Sequence, residues 1–218
     1  GDSGGVTVYQ IAADPALPLL RRLEAETRAD PASAVTCEVI VNAVKAGYHG
    51  KTSNLWHGVQ AAQHEVLVFS DADMLAQPKT LRRILRRLQQ RADVVACLPL
   101  HLPTGGLWGR LYAHLWNAAI LYGFALPMVT WQPSGLPGGT VALTRVSLER
   151  IGGVEAFRDY LAEDIELGRL AVRAGLLLGM GPPLISPVER MTFSAFAEKV
   201  RRGQLVLLTA TQLGRWLL

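Results

Sequence analysis

The 218-residue chain reads as an α/β protein built on a mostly parallel central sheet with helices on both faces. Three observations lead there. Short β-rich apolar runs alternate with helical patterns through the first half, in the order β-α-β-α-β-α-β. The run Val66–Ser70 is continuously apolar, as expected of a strand buried on both faces. Half of the residues are hydrophobic against 18% charged, which excludes disorder and supplies enough apolar surface for one sizeable core.

Taken in order, residues 6–11 are strand-like and residues 15–28 carry apolar positions at helical spacing, with Asp14 and Pro15 as cap and first helical residue. Residues 35–41 form a β-rich run. Residues 51–63 read as a helix with Leu55, Val59 and Ala62 on one face. Residues 78–90 form a strongly amphipathic helix, with Leu81, Ile84, Leu85 and Leu88 opposite four arginines. Residues 94–98 return to strand. In the second half, residues 105–126 are aromatic-rich and helical, and 130–139 make a Pro/Gly-rich loop. Residues 140–144 are a strand, 146–151 a short helix, and 163–174 a helix ended by Gly175. No repeat or linker interrupts the pattern, so a single domain over 1–218 is expected. The start without Met reads as a piece cut from a longer protein.

Composition narrows the function. Two cysteines, Cys37 and Cys97, exclude a disulfide scaffold and a cysteine-only zinc site. A net charge of +4 is too small an excess to indicate nucleic acid. Of the 22 basic residues 18 are arginine, a bias that suits phosphate or anionic-lipid contact. No stretch reaches the roughly 20 apolar residues of a spanning helix. A mean hydropathy of +0.21 without such a span fits either a domain lying against a membrane or a well-packed soluble one.

Two carboxylate clusters carry the chemistry. Asp71 and Asp73 leave the apolar run 66–70 at i and i+2, where open α/β sheets bind ligands. They can share a hard cation that keeps positions open for diphosphate oxygens; the plainer reading is an Asp-rich turn. Glu163 and Asp164 open the helix 163–174. There they either complement the helix dipole or present a general base to an acceptor hydroxyl. Gly135-Leu136-Pro137-Gly138-Gly139 lacks both the P-loop lysine and the dinucleotide spacing and reads as a turn. His49 and His57 show no metal-ligand spacing, Ser70 lacks a nucleophile elbow, and Cys97 sits in an apolar strand as a core residue.

In sequence order these pieces resemble the inverting family 2 type glycosyltransferases. The closest branch is that of ceramide glucosyltransferase-like and hopanoid-type lipid enzymes, which is family 21-like. Lys51-Thr52-Ser53-Asn54-Leu55 resembles the branch's K-x-x-N-L element, and Ser70-Asp71-Ala72-Asp73 its DxD element. Gly138-Gly139-Thr140 with Leu143-Thr144-Arg145 resembles the strand and loop before the acceptor site. Gly152 to Phe157 followed by Tyr160-Leu161-Ala162-Glu163-Asp164 is the most specific match. The resemblance covers residues 6–202 and implies a GT-A fold, a nucleoside-diphosphate sugar donor of the UDP-sugar type and Mg²⁺ or Mn²⁺. It implies Asp71 and Asp73 as metal ligands, Asp164 with Glu163 as the catalytic pair, and donor contacts from Lys51, Asn54, Asp71, Arg201 and Arg202. It also implies a lipid acceptor at the cytoplasmic face of a membrane, the inner one in bacteria, and sets no oligomeric state.

The chain departs from the family pattern in three places. It starts one strand late, and Ile11, Ala12 and Ala13 stand where the family carries an aspartate after its strand. The family's Q/R-x-x-R-W element is altered at Arg201 and Arg202, or else displaced to Gln212, Arg215 and Trp216. These departures keep two rivals open: a processive polysaccharide synthase module and a catalytically weak sugar-nucleotide-binding domain. A last expectation concerns Trp108, Leu111, Tyr112, Leu115, Trp116 and Ala119, which recur at helical spacing. With the apolar tail 205–218 they form either core or an in-plane membrane surface.

Overall fold

The computed structural model describes residues 5–10, 15–30, 35–41, 50–126 and 135–210. They group into two compact units, Gly1–Leu67 with Gly152–Asp159, and Val68–Ile151 with Tyr160–Leu218. The expected Asp14 cap, His49, the loop at 130–134 and Gln212, Arg215 and Trp216 lie outside the described residues.

In the first unit β1 (Gly5–Gln10) pairs in parallel with β2 (Thr36–Val41), in register from Gly5 opposite Thr36 to Gln10 opposite Val41. Parallel neighbours need a crossover, and α1 (Leu17–Ala29) supplies it. Ala16 rather than an acidic side chain precedes the helix, with Pro18 in its first turn. Glu24 reaches β2 from α1: its Oε1 accepts the Val39 N–H at 3.0 Å and its Oε2 accepts Arg21 at 2.8 Å. Arg21 also donates to the Val39 carbonyl at 3.1 Å, so two side chains satisfy both backbone groups of one strand residue.

The helix α2 (Gly50–Ala61) buries Thr52 and Ser53, whereas Leu55, Val59 and Ala62 stay half-buried. The reason is polar docking: Thr52 Oγ1 donates to the Arg158 carbonyl at 2.7 Å, and Trp56 Nε1 donates to Glu155 at 2.6 Å. The partner segment turns at Gly152 and Gly153, whose φ of 93° and 74° favour glycine, and it buries Phe157 completely.

A four-stranded sheet, all of it in the second unit except Val66 and Leu67, has the order β3 (Val66–Ser70), β6 (Thr140–Thr144), β4 (Val94–Cys97), β7 (Leu178–Met180). The pair β4–β6 is antiparallel and β4–β7 parallel; β1–β2 is parallel too, as is a further two-stranded pair, β5 (Pro99–Pro103) with β8 (Leu184–Val188). The structure is thus mixed α/β with mainly parallel pairing. Buried on both faces, β4 is an interior strand, as its unbroken apolar run requires. The expectation for β3 needs correction: only Leu67 is buried, while Val68 and Ser70 are exposed. A strand that ends at a site presents part of itself to solvent.

The amphipathic helix α3 (Thr80–Gln90) places Ile84, 1% exposed, in a core with Val95, Cys97, Ala142 and Leu184. Burying such a side chain contributes about 1.5–3 kcal/mol. The aromatic stretch forms α4 (Leu107–Ile120), continued by a π turn at Leu121–Ala125. The structure splits its expected stripe in two. Trp108 packs on Phe193 and Phe196 at ring distances of 4.8 and 5.4 Å, and Tyr112 lies 6.0 Å from Trp116. Those rings face the long C-terminal helix Phe193–Ala210. There a β-carbon at Gly203 would run into the Trp116 ring. The leucines of the same stretch point outward: Leu107 is 64% exposed and Leu115 52%. Among the described residues no helix is long and apolar enough to cross a membrane.

Candidate active site

The Asp71-Ala72-Asp73 turn leaves β3 and is fixed from two sides. The Asp71 N–H donates to the Gly139 carbonyl at 2.8 Å, and the Ser70 and Thr140 hydroxyls share a hydrogen bond of 2.8 Å. On the other side the Leu75 N–H donates to the Ile185 carbonyl at 2.8 Å, and Ser186 Oγ donates to Asp73 Oδ2 at 3.3 Å. Ser186 is buried in β8, so Asp73 is oriented by a side chain that cannot swing away.

The second carboxylate cluster begins α6 (Glu163–Arg173); the short helix α5 (Arg145–Arg150), capped by Thr144, precedes it. No side chain caps α6 at Ala162; instead Asp164 Oδ1 accepts the N–H of Ile165 at 2.8 Å. Asp164 and Glu163 are half-buried, while Glu166 is buried with Arg169 at 3.4 Å. Ala162 and Ile165 form a small core with Phe124 of the π turn and Val206 of the C-terminal helix, which holds the ends of the pair Glu163-Asp164.

The loop 135–139 joins the two clusters, and the reading of it as a mere turn undervalued it. A β-carbon at Gly138 would collide with Asp164 Oδ2, and one at Gly135 would lie 2.6 Å from Ile165 Cγ2. Gly168 answers from the helix, where a β-carbon would meet the backbone of Leu136 at 2.5 Å. Gly139, at φ 114°, gives its carbonyl to the Asp71 N–H. Adjacent glycines therefore touch the base candidate on one side and the DxD turn on the other.

Sequence reasoning missed three further groups. The His101 backbone is clamped by Asn117, whose Oδ1 accepts the His101 N–H and whose Nδ2 donates to its carbonyl, both at 2.9 Å. Burial pushes the His101 imidazole below its ordinary value; Asp73 opposes this and Lys199 adds to it. Burial raises the Tyr112 phenol, with Asp73 adding and Arg202 opposing. Lys199 Nζ lies 5.3 Å from the Tyr112 ring centre. Asp73, Lys199 and Arg202 between them thus act on one pair of rings, His101 and Tyr112, whose centres lie 6.0 Å apart. Only the resemblance pointed to Arg202; Ser186 and Asn117 carry no sequence signal at all.

Of the expected residues, Asp71, Asp73, Glu163, Asp164, Arg201 and Arg202 belong to the second unit, the last two exposed on its terminal helix. Lys51, exposed, and Asn54, half-buried, stand on α2 of the first unit. Two carboxylates one residue apart suit a hard cation that takes only one or two protein ligands and completes its shell with phosphate oxygens. Among the described residues no three His, Cys, Asp or Glu side chains come together around a point that could hold a metal ion. Cys97, expected as core, is fully buried, and burial pushes its thiol up to about 11. A family model described as glycosyl transferase family 21 matches residues 7–212. The chain belongs to glycosyl transferase family 21 and is a glycosyltransferase.

Proposed function

We propose that the chain transfers a sugar, with inversion, from a nucleoside-diphosphate sugar of the UDP type to a hydroxyl of a ceramide-like or hopanoid-like lipid at a membrane surface. The observation that carries this reading is the double contact of the loop 138–139. It joins the carboxylates suited to the diphosphate end of a donor to the carboxylate suited to the acceptor end.

Asp164 takes the proton of the acceptor hydroxyl as that oxygen attacks the anomeric carbon from the face opposite the leaving group. The new C–O bond forms while the bond to the diphosphate breaks, and the electron pair departs with the diphosphate. Asp71 and Asp73 would hold a divalent cation, Mg²⁺ or Mn²⁺, which when bound would supply positive charge to the leaving diphosphate. Ser186 keeps Asp73 aimed, and Lys199, Arg201 and Arg202 add positive potential on the same side. For Lys51 and Asn54, on α2 of the first unit, a donor contact rests on the resemblance alone. The lipid acceptor is supported by the outward leucines of α4 and by Leu100 and Leu102 of β5, which are exposed as well. Such an exposed apolar ridge suits in-plane contact with a bilayer.

Two variants test the assignment, with transfer from a panel of UDP- and GDP-sugars to lipid acceptors in vesicles as the readout. Asp164→Asn should lower turnover at least about 10²-fold while donor still raises the melting temperature. Asp73→Asn should abolish the Mn²⁺-dependent part of that thermal stabilisation. Near-native transfer by Asp164→Asn refutes the base, and lipid glycosylation unaltered by Leu107→Ser with Leu111→Ser and Leu115→Ser refutes the membrane surface.

A further inference from the structure

The helix α3 is unlike the rest of the chain in charge. Residues 74–92 hold six cations, Lys79, Arg82, Arg83, Arg86, Arg87 and Arg91, and no acidic residue. The other 16 basic residues of the chain are outnumbered by its 18 acidic ones, so this one segment accounts for more than the whole net charge. All six side chains are exposed, and among the described residues none takes part in an ion pair or side-chain hydrogen bond. Folding does not require them. The helix is anchored by Ile84 and Leu88, packed with Val95 and Cys97 of β4 and Ala142 of β6. Like charges at i,i+4, such as Arg82 with Arg86 and Arg83 with Arg87, cost stability in an isolated helix. A face that is costly and unpaired within the fold is suited to an external anion.

A groove adjoins this face. Arg87, Gln90 and Arg91 line one side, and the edge strand β7 (Leu178–Met180) lines the other; its volume is about 630 Å³. That is room for a phosphate-bearing headgroup, in the size range of small-ligand sites. Leu81, 53% exposed, stands on the same helix and offers an apolar side chain at the border of the arginines.

We propose that the cationic face of α3 and its groove bind the headgroups of anionic phospholipids, holding the enzyme on a negatively charged bilayer. The inference rests on the membrane part of the proposed function and adds to it a lipid class and a second contact surface, separate from the leucines of α4. A bilayer suits the face better than nucleic acid does. Neither α3 nor the groove offers an aromatic ring on which a base could stack, and the remainder of the chain is net acidic. Cations beside exposed apolar side chains are the composition of an interfacial surface.

Flotation of the full chain tests this, using vesicles of phosphatidylcholine alone and of phosphatidylcholine with about one-third phosphatidylglycerol. The native chain should partition at least about tenfold more strongly onto the anionic vesicles, and the difference should shrink as salt rises from about 0.05 to 0.5 M. Replacing Arg82, Arg83, Arg86 and Arg87 together by Gln should remove the difference, and replacing them by Lys should retain it. Both sets preserve helix propensity, which circular dichroism confirms. Equal binding to both vesicles, or a Gln variant that keeps the anionic preference, overturns the proposal and leaves the leucine surface standing. Binding to neither vesicle overturns both readings. Tighter binding to a single-stranded RNA than to anionic vesicles, lost in the Gln variant, assigns the face to nucleic acid and overturns the lipid.

Discussion

Gly138→Ala isolates the contact between the loop and the base. The backbone at Gly138 is not in the left-handed region, so alanine introduces no conformational strain there. The added methyl meets a single group, the Asp164 carboxyl. Ordinary non-bonded carbon contacts lie near 3.5–4.0 Å, so the carboxyl must withdraw by about 1 Å. Asp164 can do so by giving up the Ile165 N–H, a bond contributing about 0.5–1.5 kcal/mol. The fold therefore survives while the base is displaced. A displacement of about 1 Å at a reacting group costs on the order of 10²-fold in rate, or about 2.7 kcal/mol of transition-state stabilisation. The assay is initial-rate sugar transfer at saturating donor, with thermal melting in parallel. Turnover should fall about 10²-fold, donor binding should hold, and the melting temperature should shift by only a few degrees. Gly123→Ala, where a β-carbon meets nothing within 4 Å, serves as the control and should leave turnover native. Native turnover in Gly138→Ala would refute the argument, since the carboxyl would then not be working from the position the loop defines.

Other positions give further tests. Glu24 is held below its ordinary value, first by the Val39 amide and then by Arg21. Its contribution is present above the ordinary carboxylate value of about 4.3 and is lost as pH falls through the lower folded value. Melting temperatures measured across that acid range should therefore fall more steeply for the native chain than for Glu24→Gln. Asn117→Ala removes both bonds to the His101 backbone and leaves them to water or to nothing, at about 1–3 kcal/mol each if unsatisfied. Urea denaturation should show that loss, with Asn117→Asp, which keeps the acceptor alone, lying between. Cys97, at about 11, should resist alkylation at mildly alkaline pH in the folded chain and react once urea unfolds it, because only the thiolate attacks.

The parts of the molecule that were legible in sequence share a property: their signal is local. Ile84 with Leu85 and Leu88 reveals α3 because a helix repeats its core contacts within one turn, and Val94–Cys97 reveals β4 because a strand buried on both faces has no polar alternation. Asp71 and Asp73 were found because they follow such a strand, and Glu163 with Asp164 because they open a helix. The loop 135–139 was undervalued for the converse reason. A glycine's role is set by what would strike its missing β-carbon, and for Gly138 that is a carboxylate 26 positions along the chain.

The pair β5–β8 shows what local signals cannot carry. Both strands contain proline, at Pro99, Pro103 and Pro187, which argues against a strand interior when read alone. They pair nonetheless, as two short segments about 85 residues apart, Pro99 opposite Leu184. A two-stranded sheet leaves each strand an outer edge, where a missing N–H is tolerated. That pairing delivers two of the unanticipated site residues: Ser186 reaches Asp73 from β8, and His101 opposite it in β5 is steadied by Asn117 of α4. The same helix turns its rings to the C-terminal helix and its leucines outward. Helical spacing alone had merged these two stripes into one, because periodicity gives the faces of a helix but not the neighbour that covers each. The neighbour here begins at Phe193, about 85 residues beyond Trp108, and its contact is permitted by the bare backbone of Gly203. Position 203 therefore controls whether α4 can present leucine rather than tryptophan to its surroundings. A side chain there would push the rings out and exchange a defined apolar ridge for a mixed one.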